Sequence, residues 1–419
     1  MKLTKRQYKN IFVATLAMLV WQIPYLCSIF YVQFQEYYAV TDGQIGFILS
    51  SLGLTTVIGY TVGGVVADKF PVKGLLITST LLTGILGVIM AFTKNYYVIC
   101  AIHFAFGITG ALIGWNAFLK YIRFIGNDEV QGKAFGFFEM AYAILGVVTS
   151  YALLAFMDII LAKYGFFVVV LVYALLDILA GIIIWLFLDK PEYESAGAAQ
   201  VKTEGSFSVK DIGKAFKQPV TWFNAFIVLG LFIVSGTTTY VTPIMQNVFG
   251  LSATLVVGVG IFKRYAVRLF LTPMGGSIID KKGKSSGLII YSCLATIVFF
   301  VIMLFLPQAA PYGMLFFIVS TAIAIPTTIV RPAYYTPVGE AETPAAITGT
   351  VMGIVSGIGY CTDLWLYNLC GGWLDKFGNA GYNYIWILSI VGLLMSAVSA
   401  FFFQRYLNNK RKASLTTAE

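Results

Sequence analysis

The sequence predicts an all-α integral membrane protein with twelve transmembrane helices arranged as two related six-helix halves. Three observations lead to this fold class: 58% of the 419 residues are apolar, only 11% are charged, and long apolar runs recur along the whole chain. A soluble domain carries roughly 25% charged residues, because polar groups must cover its surface. Lipid is therefore the natural solvent for this chain.

A helix needs roughly 20 apolar residues to cross a membrane, and twelve stretches approach that length. In chain order, these spans 1 to 12 lie at about 11–32, 44–67, 74–92, 98–120, 134–157, 166–188, 219–244, 253–279, 286–306, 312–333, 346–372 and 382–405. Span 1 follows basic residues as a signal peptide does, but it is too long for the apolar core of one and has no A-x-A cleavage site. We interpret it as a retained helix.

The basic residues indicate the orientation of the chain in the membrane. Twenty-one of the 28 Lys and Arg residues lie at the two termini and in the even-numbered loops, whereas three lie in the odd-numbered loops. By the positive-inside rule, both termini are predicted to be cytoplasmic in a bacterial inner membrane. Because the basic residues lie in short loops between apolar runs, the net charge of +9 does not indicate nucleic-acid binding.

The longest hydrophilic stretch separates the predicted halves. We expect residues 1–188 to form an N-terminal six-helix bundle, residues 189–218 a cytoplasmic linker, and residues 219–419 a C-terminal six-helix bundle. Gly, Ser, Glu and Lys dominate the stretch, as in a linker. No other soluble domain fits into the remaining sequence.

An internal repeat supports the two halves. The pattern G-x-x-x-D-K follows span 2 and occurs again after span 8. Its residues are Gly64, Asp68 and Lys69 in the first copy and Gly276, Asp280 and Lys281 in the second, at an offset of 212. A partial third copy runs from Gly371 to Gly378 at the predicted outer end of span 11. Parallel repeats of six spans are a transporter architecture.

This pattern resembles the loop motif of the major facilitator superfamily, G-x-x-x-D-[RK]-x-G-[RK]-[RK]. The second copy also matches at Gly283 and Lys284, whereas Pro71 and Val72 depart from the motif in the first. The resemblance implies a transporter whose two bundles are gated by both copies of the motif. Physically, each glycine would permit close helix contact, and each aspartate would pair with Lys or Arg or cap a helix N-terminus. The alternative is a tight turn whose lysines fix the topology.

Spans 4 and 5 depart from residues that are common in the family, and these departures indicate which of its members the chain resembles. In span 4, His103 and Gly107 occupy the place where the family often carries Arg and, four residues later, Gly. Span 5 contains Gly146 but lacks the Gly-Pro motif of the drug–proton antiporters. The chain is more similar to the family's bacterial permeases for organic anions and phosphorylated or sulfonated sugars.

A charged residue within a membrane span indicates a functional role, because placing a charge in lipid costs free energy. Arg264 and Arg268 are four residues apart in span 8 and therefore share a helical face. The planar fork of arginine suits carboxylate, phosphate or sulfonate. The candidate substrate-binding residues are Arg264, Arg268, Arg331, Tyr25, Trp115 and Asn116. Arg331, near the inner end of span 10, is equally a candidate gate residue. Alternatively, the arginines pair with Glu139, Asp177 or Asp363, and the aromatic and amide side chains simply pack between helices.

Three residues are candidates for proton coupling. Glu139 and Asp363 lie in predicted spans, where burial makes a carboxyl group easier to protonate. His103 titrates near neutral pH in the absence of other influences, although a lone histidine on an apolar face is more often a helix-contact residue. Gln22, in span 1, would bond either a hydroxylated substrate or another helix.

The sequence therefore predicts a secondary transporter for a small organic anion, namely a sugar acid or a phosphorylated or sulfonated sugar. Alternating access would be driven by proton symport or anion exchange. No GxxxxGK[ST] loop, CxxC pair or catalytic constellation occurs, so we expect neither an enzyme nor a cofactor or metal site. We expect a monomer in contact with membrane lipid. A transporter-like receptor and a lipid translocator are the alternative functions.

Overall fold

The computed structural model describes residues 3–125, 128–155, 165–190 and 209–416. Within these ranges the backbone is helical almost throughout and contains no strand, which confirms the predicted all-α class. Most of the predicted linker at 189–218 lies outside the described residues.

The helices correspond to the predicted spans. Spans 1 to 6 are Lys5–Ile29, Asp42–Lys69, Val72–Phe92, Tyr96–Arg123, Asp128–Ala155 and Phe166–Phe187. Spans 7, 9 and 10 are Pro219–Asn247, Ser286–Phe305 and Ala310–Ile329. Span 8 runs through Ala253–Ile261, Phe262–Ala266 and Val267–Lys282, span 11 through Ala345–Tyr360 and Thr362–Phe377, and span 12 is Gly381–Thr416. Shorter helices cover Tyr31–Tyr38, Val209–Phe216 and Thr336–Glu340.

Length and composition alone identify ten membrane-crossing segments among the described residues. One of them, Thr350–Lys412, joins spans 11 and 12 into a single segment. Span 8 is long enough but is not among the ten, because Lys263, Arg264 and Arg268 interrupt its apolar middle. The twelve-helix prediction is therefore consistent with the structure.

Capping residues explain where two related spans begin. Thr41 accepts a hydrogen bond from the backbone of Gln44, whose side chain bonds back to the backbone of Thr41. Ser252 accepts a hydrogen bond from Leu255 N at the start of span 8. Each cap satisfies N–H groups that have no partner inside the helix, which stabilises a helix by about 1 kcal/mol.

The described chain forms two compact units. The first comprises Met1–Val201, Leu251–Leu269 and Asp363–Lys376, and the second comprises Lys202–Gly250, Phe270–Thr362 and Phe377–Glu419. The first unit thus contains spans 1 to 6 together with parts of spans 8 and 11. The division into bundles 1–188 and 219–419 stays a prediction.

Each unit has a close helix pair that reflects the internal repeat. In the first unit, span 3 packs along span 6, where a β-carbon on Gly84 would lie 2.8 Å from the carbonyl oxygen of Ala174. In the second unit, span 12 packs along span 9 and also along span 7, where the backbones of Gly230 and Gly392 meet. Spans 9 and 12 are the third and sixth spans of the second half, so they correspond to spans 3 and 6 of the first half.

The close helix contact expected at the loop motif occurs one residue before the expected glycine in both copies. A β-carbon on Gly64 or Gly276 would have no atom within 4 Å. A β-carbon on Gly63 would overlap Asn116 Nδ2 of span 4, and one on Gly275 would overlap the carbonyl oxygen of Ile329 in span 10. The reasoning about Gly64 and Gly276 as contact residues was wrong, because adjacent helical residues face directions about 100° apart.

Charged residues hold one end of the first unit together. The Asp189 carboxylate accepts hydrogen bonds from Arg6 Nε at 2.8 Å, Asn10 Nδ2 at 3.1 Å and Lys9 Nζ at 3.2 Å. The bond from Arg6, followed by those from Asn10 and Lys9, lowers the pKa of Asp189 from 3.8 to about 2. This cluster therefore contributes stability at neutral pH, which is lost as the pH falls from the usual pKa of the carboxyl group towards about 2.

Gly275 and Gly276 offer a matched pair for testing helix contact. We expect Gly275→Ala to lower the melting temperature of the purified protein, because the added methyl group must push span 8 away from Ile329. Overpacking of this kind costs about 1–3 kcal/mol. We expect Gly276→Ala to leave the melting temperature unchanged or raised, because its β-carbon meets nothing within 4 Å. Equal melting temperatures for the two variants would contradict the close contact.

Candidate substrate-binding site

Irregular backbone occurs in the middle of three spans of the first unit. Span 1 contains tight 3₁₀ turns at Leu16–Trp21 and Ile23–Tyr25, around Pro24. Span 4 is π-helical at Ile108–Trp115, and span 8 is π-helical at Phe262–Ala266. Irregular backbone at membrane depth is tolerated where it is enclosed by protein or lines a cavity, and π-helical turns are frequent at functional sites. These segments therefore mark the candidate site.

Arg264 lies within the π-helical turn of span 8. Its guanidinium carbon is 5.7 Å from the ring centre of Tyr25 and 5.8 Å from that of Tyr265. Tyr142 and Tyr173 are also within its electrostatic reach. Among the described residues, no carboxylate forms an ion pair with Arg264. The guanidinium is thus surrounded by tyrosines and lacks a direct acidic partner.

Arg268, one turn further along span 8, is paired. Its Nη2 lies 3.0 Å from Oε2 and 3.2 Å from Oε1 of Glu139 in span 5. The two predicted substrate-binding arginines therefore differ. Arg268 has an acidic partner, as expected if it pairs with an internal acid. Arg264 has no such partner among the described residues.

Asp363 is the second residue of the helix Thr362–Phe377 in span 11, where its backbone meets Gly53 of span 2. Both Asp363 and Arg264 belong to the first unit. A carboxylate in the first turn of a helix is favoured by the positive end of the helix dipole. The side chain of Asp363 has no hydrogen bond or ion pair to any described residue.

An aromatic row extends from Tyr25 to span 4. We define it as Tyr25, Trp21, Tyr60 and Trp115, whose successive ring centres are 6.4, 6.1 and 6.1 Å apart. The indole Nε1 of Trp21 is buried without a hydrogen-bond partner among the described residues. Asn116 instead bonds at 3.5 Å to the carbonyl oxygen of Gly59 and so contacts span 2. Trp115 is therefore part of the aromatic row, whereas Asn116 makes a helix contact.

His103 is completely buried in span 4. Its Nδ1 is 2.9 Å from the carbonyl oxygen of Ile99, one turn earlier in the same helix. The rings of Phe34 and Phe106 meet it edge-on at 6.4 and 5.5 Å. This apolar setting favours the helix-contact interpretation, and a role in proton coupling stays a prediction.

Arg331 belongs to the second unit, where span 10 gives way to a short 3₁₀ turn, Arg331–Tyr334. Its guanidinium carbon is 6.0 Å from the ring centre of Tyr334. Nearby, the Tyr335 hydroxyl bonds Ser356 Oγ at 2.9 Å and the Tyr360 hydroxyl at 2.8 Å. Arg331 is exposed and makes no ion pair with a described residue.

The first copy of the loop motif forms an ion pair within the first unit. Lys120 Nζ, at the end of span 4, is 2.7 Å from Asp68 Oδ1 and donates to the carbonyl oxygen of Ala67 at 2.9 Å. Lys69 makes no such contact with a described residue. In the second copy, Asp280 and Lys281 are exposed at the end of span 8.

Several residues of these contacts escaped the sequence analysis. Tyr265 and Tyr60 are tyrosines in apolar spans, and one tyrosine among 25 carries no signal of its own. Lys120, the ion-pair partner of Asp68, lies 52 residues away from it along the chain, so no local pattern connects the two. Gln22 was considered for substrate or helix bonding; its Oε1 accepts a hydrogen bond from the Tyr265 hydroxyl at 2.6 Å.

Comparison with solved structures identifies the fold. The chain is similar to the nucleoside transporter NupG in a point-mutant form, with a TM-score of 0.74 at 14% identity, covering 96% of this chain and 99% of that one. It is also similar to a bacterial homologue of the human lysosomal transporter Spinster, with a TM-score of 0.72 at 14% identity, covering 97% of this chain and 99% of that one.

Comparison of sequences identifies the family. Two Escherichia coli relatives are the inner membrane proteins YihN, 30% identical over 405 residues (96% of this chain and 95% of YihN), and YqcE, 27% identical over 393 residues (90% of each chain). Together with the apolar helices, they support a multi-pass bacterial inner membrane protein. The family model described as Major Facilitator Superfamily matches residues 11–360. The chain therefore belongs to the major facilitator superfamily of transporters.

Proposed function

We propose that this transporter moves a small organic anion, namely a sugar acid or a phosphorylated or sulfonated sugar, by alternating access. The observation that carries the proposal is the position of Arg264. It lies in the middle of a membrane span, between two tyrosine rings, and has no ion pair with a described carboxylate.

The energetics of charge within a membrane span favour an anionic ligand at Arg264. Taking an ion out of water costs several kcal/mol even after the protein relaxes. Each cation–π contact offsets about 0.5–2 kcal/mol of that cost. Glu139 is already paired with Arg268. A bound carboxylate, phosphate or sulfonate would complete the charge balance and would bond the guanidinium through two N–H groups.

The surroundings of Arg264 suit a hydroxylated substrate. The Asp363 carboxylate, which has no hydrogen bond or ion pair with a described residue, can accept hydrogen bonds from substrate hydroxyl groups, and the Tyr25 hydroxyl can donate or accept one. The aromatic row provides the apolar contacts that small-molecule sites usually have alongside a few polar groups. A sugar acid or charged sugar presents both chemistries.

Glu139 and Asp363 are the proposed proton carriers. Protonation of Glu139 would remove its charge from beside Arg268, which would couple proton binding to the charge balance of the site. Asp363 has no described partner that would hold it ionised. A substrate gradient would drive anion exchange without a proton, so the effect of an imposed pH gradient on uptake distinguishes exchange from symport.

The remaining parts of the proposal concern topology and gating. Both termini lie in the cytoplasm, and the protein acts as a monomer in the lipid bilayer. The motif residues Gly64, Asp68 and Lys69, with Gly276, Asp280 and Lys281, form the inner gate, in which the pairing of Asp68 with Lys120 is broken and remade during transport.

Substitution of Arg264 tests the proposed substrate class. We expect Arg264→Lys to weaken binding of D-gluconate and glucose 6-phosphate about tenfold, because it keeps the charge but loses the planar fork, and Arg264→Gln to weaken it further. Binding is measured by isothermal titration calorimetry on purified protein, and transport by uptake into proteoliposomes.

Arg405→Gln is the control, because Arg405 is an exposed arginine at the far end of span 12. Binding of D-glucose in preference to both anions by the wild-type protein, or unchanged anion binding in Arg264→Lys, would refute the proposed substrate class.

Substitutions of Asp68 and Lys120 test the gate. We expect Asp68→Asn and Lys120→Met each to slow counterflow several-fold while anion affinity changes less than twofold, because the pair lies at a helix end and not at Arg264. The double variant should be no slower than either single variant, because both remove the same ion pair. Additive losses would show that the two residues act separately.

A further inference from the structure

Tyr265 connects Arg264 to two other spans of the first unit. Its hydroxyl donates to Gln22 Oε1 in span 1 at 2.6 Å, and only 1% of the residue is exposed. Its ring lies against Gly146 of span 5, where any β-carbon would overlap the ring atoms. Tyr265 is thus fixed at its hydroxyl end and along its ring.

This fixed ring lies beside the guanidinium of Arg264, at 5.8 Å from ring centre to guanidinium carbon. A cation over an aromatic face is attracted by the negative ring face, so a ring that cannot move limits where the cation can lie. Bidentate recognition of an oxyanion depends on the direction of the guanidinium plane. An ammonium group has no plane and depends much less on such support.

We propose that Tyr265 is a positioning residue which, held by Gln22 and Gly146, orients the Arg264 guanidinium for an oxyanion. This inference rests on the proposed function, because it assumes that Arg264 binds the anion. It assigns anion selectivity to a hydrogen bond between spans 1 and 8 as well as to the arginine.

A double-mutant cycle tests this role with D-gluconate as the probe. We expect Tyr265→Phe, which keeps the ring but loses the bond to Gln22, to weaken gluconate binding about tenfold in the wild-type background. In the Arg264→Lys background the same change should cost less than twofold, because there is no plane to orient. Gln22→Met should reproduce the effect of Tyr265→Phe, and melting temperatures are recorded for every variant.

The results of this experiment distinguish a failure of the positioning role of Tyr265 from a failure of the proposed substrate class. Equal losses from Tyr265→Phe in both backgrounds, or no loss in either, would reject the positioning role alone. Absence of gluconate and glucose 6-phosphate binding by the wild-type protein would reject the proposed substrate class and this inference with it.

A second, independent observation concerns Asp375, in the partial third copy of the loop motif. Its Oδ2 accepts hydrogen bonds from Thr41 Oγ1 at 2.6 Å and from the backbone N–H of Gly43 at 3.0 Å. Thr41 is the N-cap of span 2, so the carboxylate of span 11 lies at the positive end of another helix. Asp375 therefore supplies an N-terminal cap from a distant part of the chain.

Below this cap, spans 2 and 11 touch backbone to backbone. In span 2, a β-carbon on Gly46 would overlap the carbonyl oxygen of Tyr367, and a β-carbon on Gly53 would overlap the carbonyl oxygen of Asp363. In span 11, a β-carbon on Gly371 would overlap the carbonyl oxygen of Asp42. The contacts follow one face of each helix over several turns. The backbones of spans 2 and 11 are therefore in direct contact at these three glycines.

We infer that Asp375 is a latch that holds the predicted outer ends of spans 2 and 11 together and releases when they separate. The latch would be the outer counterpart of the proposed inner gate, built from the same sequence pattern. Loss of a charge-assisted cap should shift the protein towards conformations in which these two helix ends are apart.

The protein's own Cys370 is a buried thiol in the part of span 11 whose backbone contacts span 2, so we use it as the probe. Its side chain is fully buried, and it neighbours Gly371 in span 11. In a variant that keeps Cys370 and replaces the other four cysteines with alanine, we expect Asp375→Ala to raise the rate of maleimide labelling in detergent about tenfold. Asp375→Asn, which keeps one acceptor oxygen, should give a smaller increase.

Glu36→Gln is the matched control, because Glu36 is an exposed acid in the helix Tyr31–Tyr38 that precedes span 2. Its labelling rate should equal that of the parent. Unchanged labelling in Asp375→Ala, or an equal increase in Glu36→Gln, would overturn the latch. A melting temperature recorded for each variant separates local opening from loss of the fold.

Discussion

The cost of placing an arginine charge at membrane depth governs the arrangement around Arg264. Lipid offers no hydrogen bonds to a guanidinium, so favourable contacts from the protein reduce this cost. These contacts come from the faces of Tyr25 and Tyr265, whereas Glu139 pairs with Arg268. The irregular backbone of spans 1, 4 and 8 is also tolerated at this depth only where protein encloses it or where it lines a cavity.

Glycine determines which helices can approach one another closely. In the loop motif, the glycines that touch a neighbouring helix are Gly63 and Gly275, not the motif glycines beside them. Gly146 makes room for the ring of Tyr265, so a residue in span 5 influences a side chain in span 8. Packing, and through it the proposed binding site, therefore depends on positions that carry no charge or polar group.

Acidic residues at helix ends connect one helix to another segment in several places. Asp68 pairs with Lys120, Asp189 collects three donors from span 1, and Asp375 caps span 2. Each joins the end of one helix to another segment of the chain, where water and the helix dipole reduce the cost of the charge. Such contacts can break and form again more readily than apolar packing can, which suits a protein whose family works by conformational change.

The sequence by itself determined the membrane class, the twelve spans and the family, because apolar run length, loop charge and the repeated motif are local properties of the chain. It also singled out Arg264 and Arg268, since charge within an apolar run stands out. The sequence did not indicate that these two arginines have different surroundings. Only the tertiary structure decided that Glu139 faces Arg268 and that Tyr265 and Gln22 meet, because partners 129 and 243 residues apart are brought together by packing and not by sequence spacing.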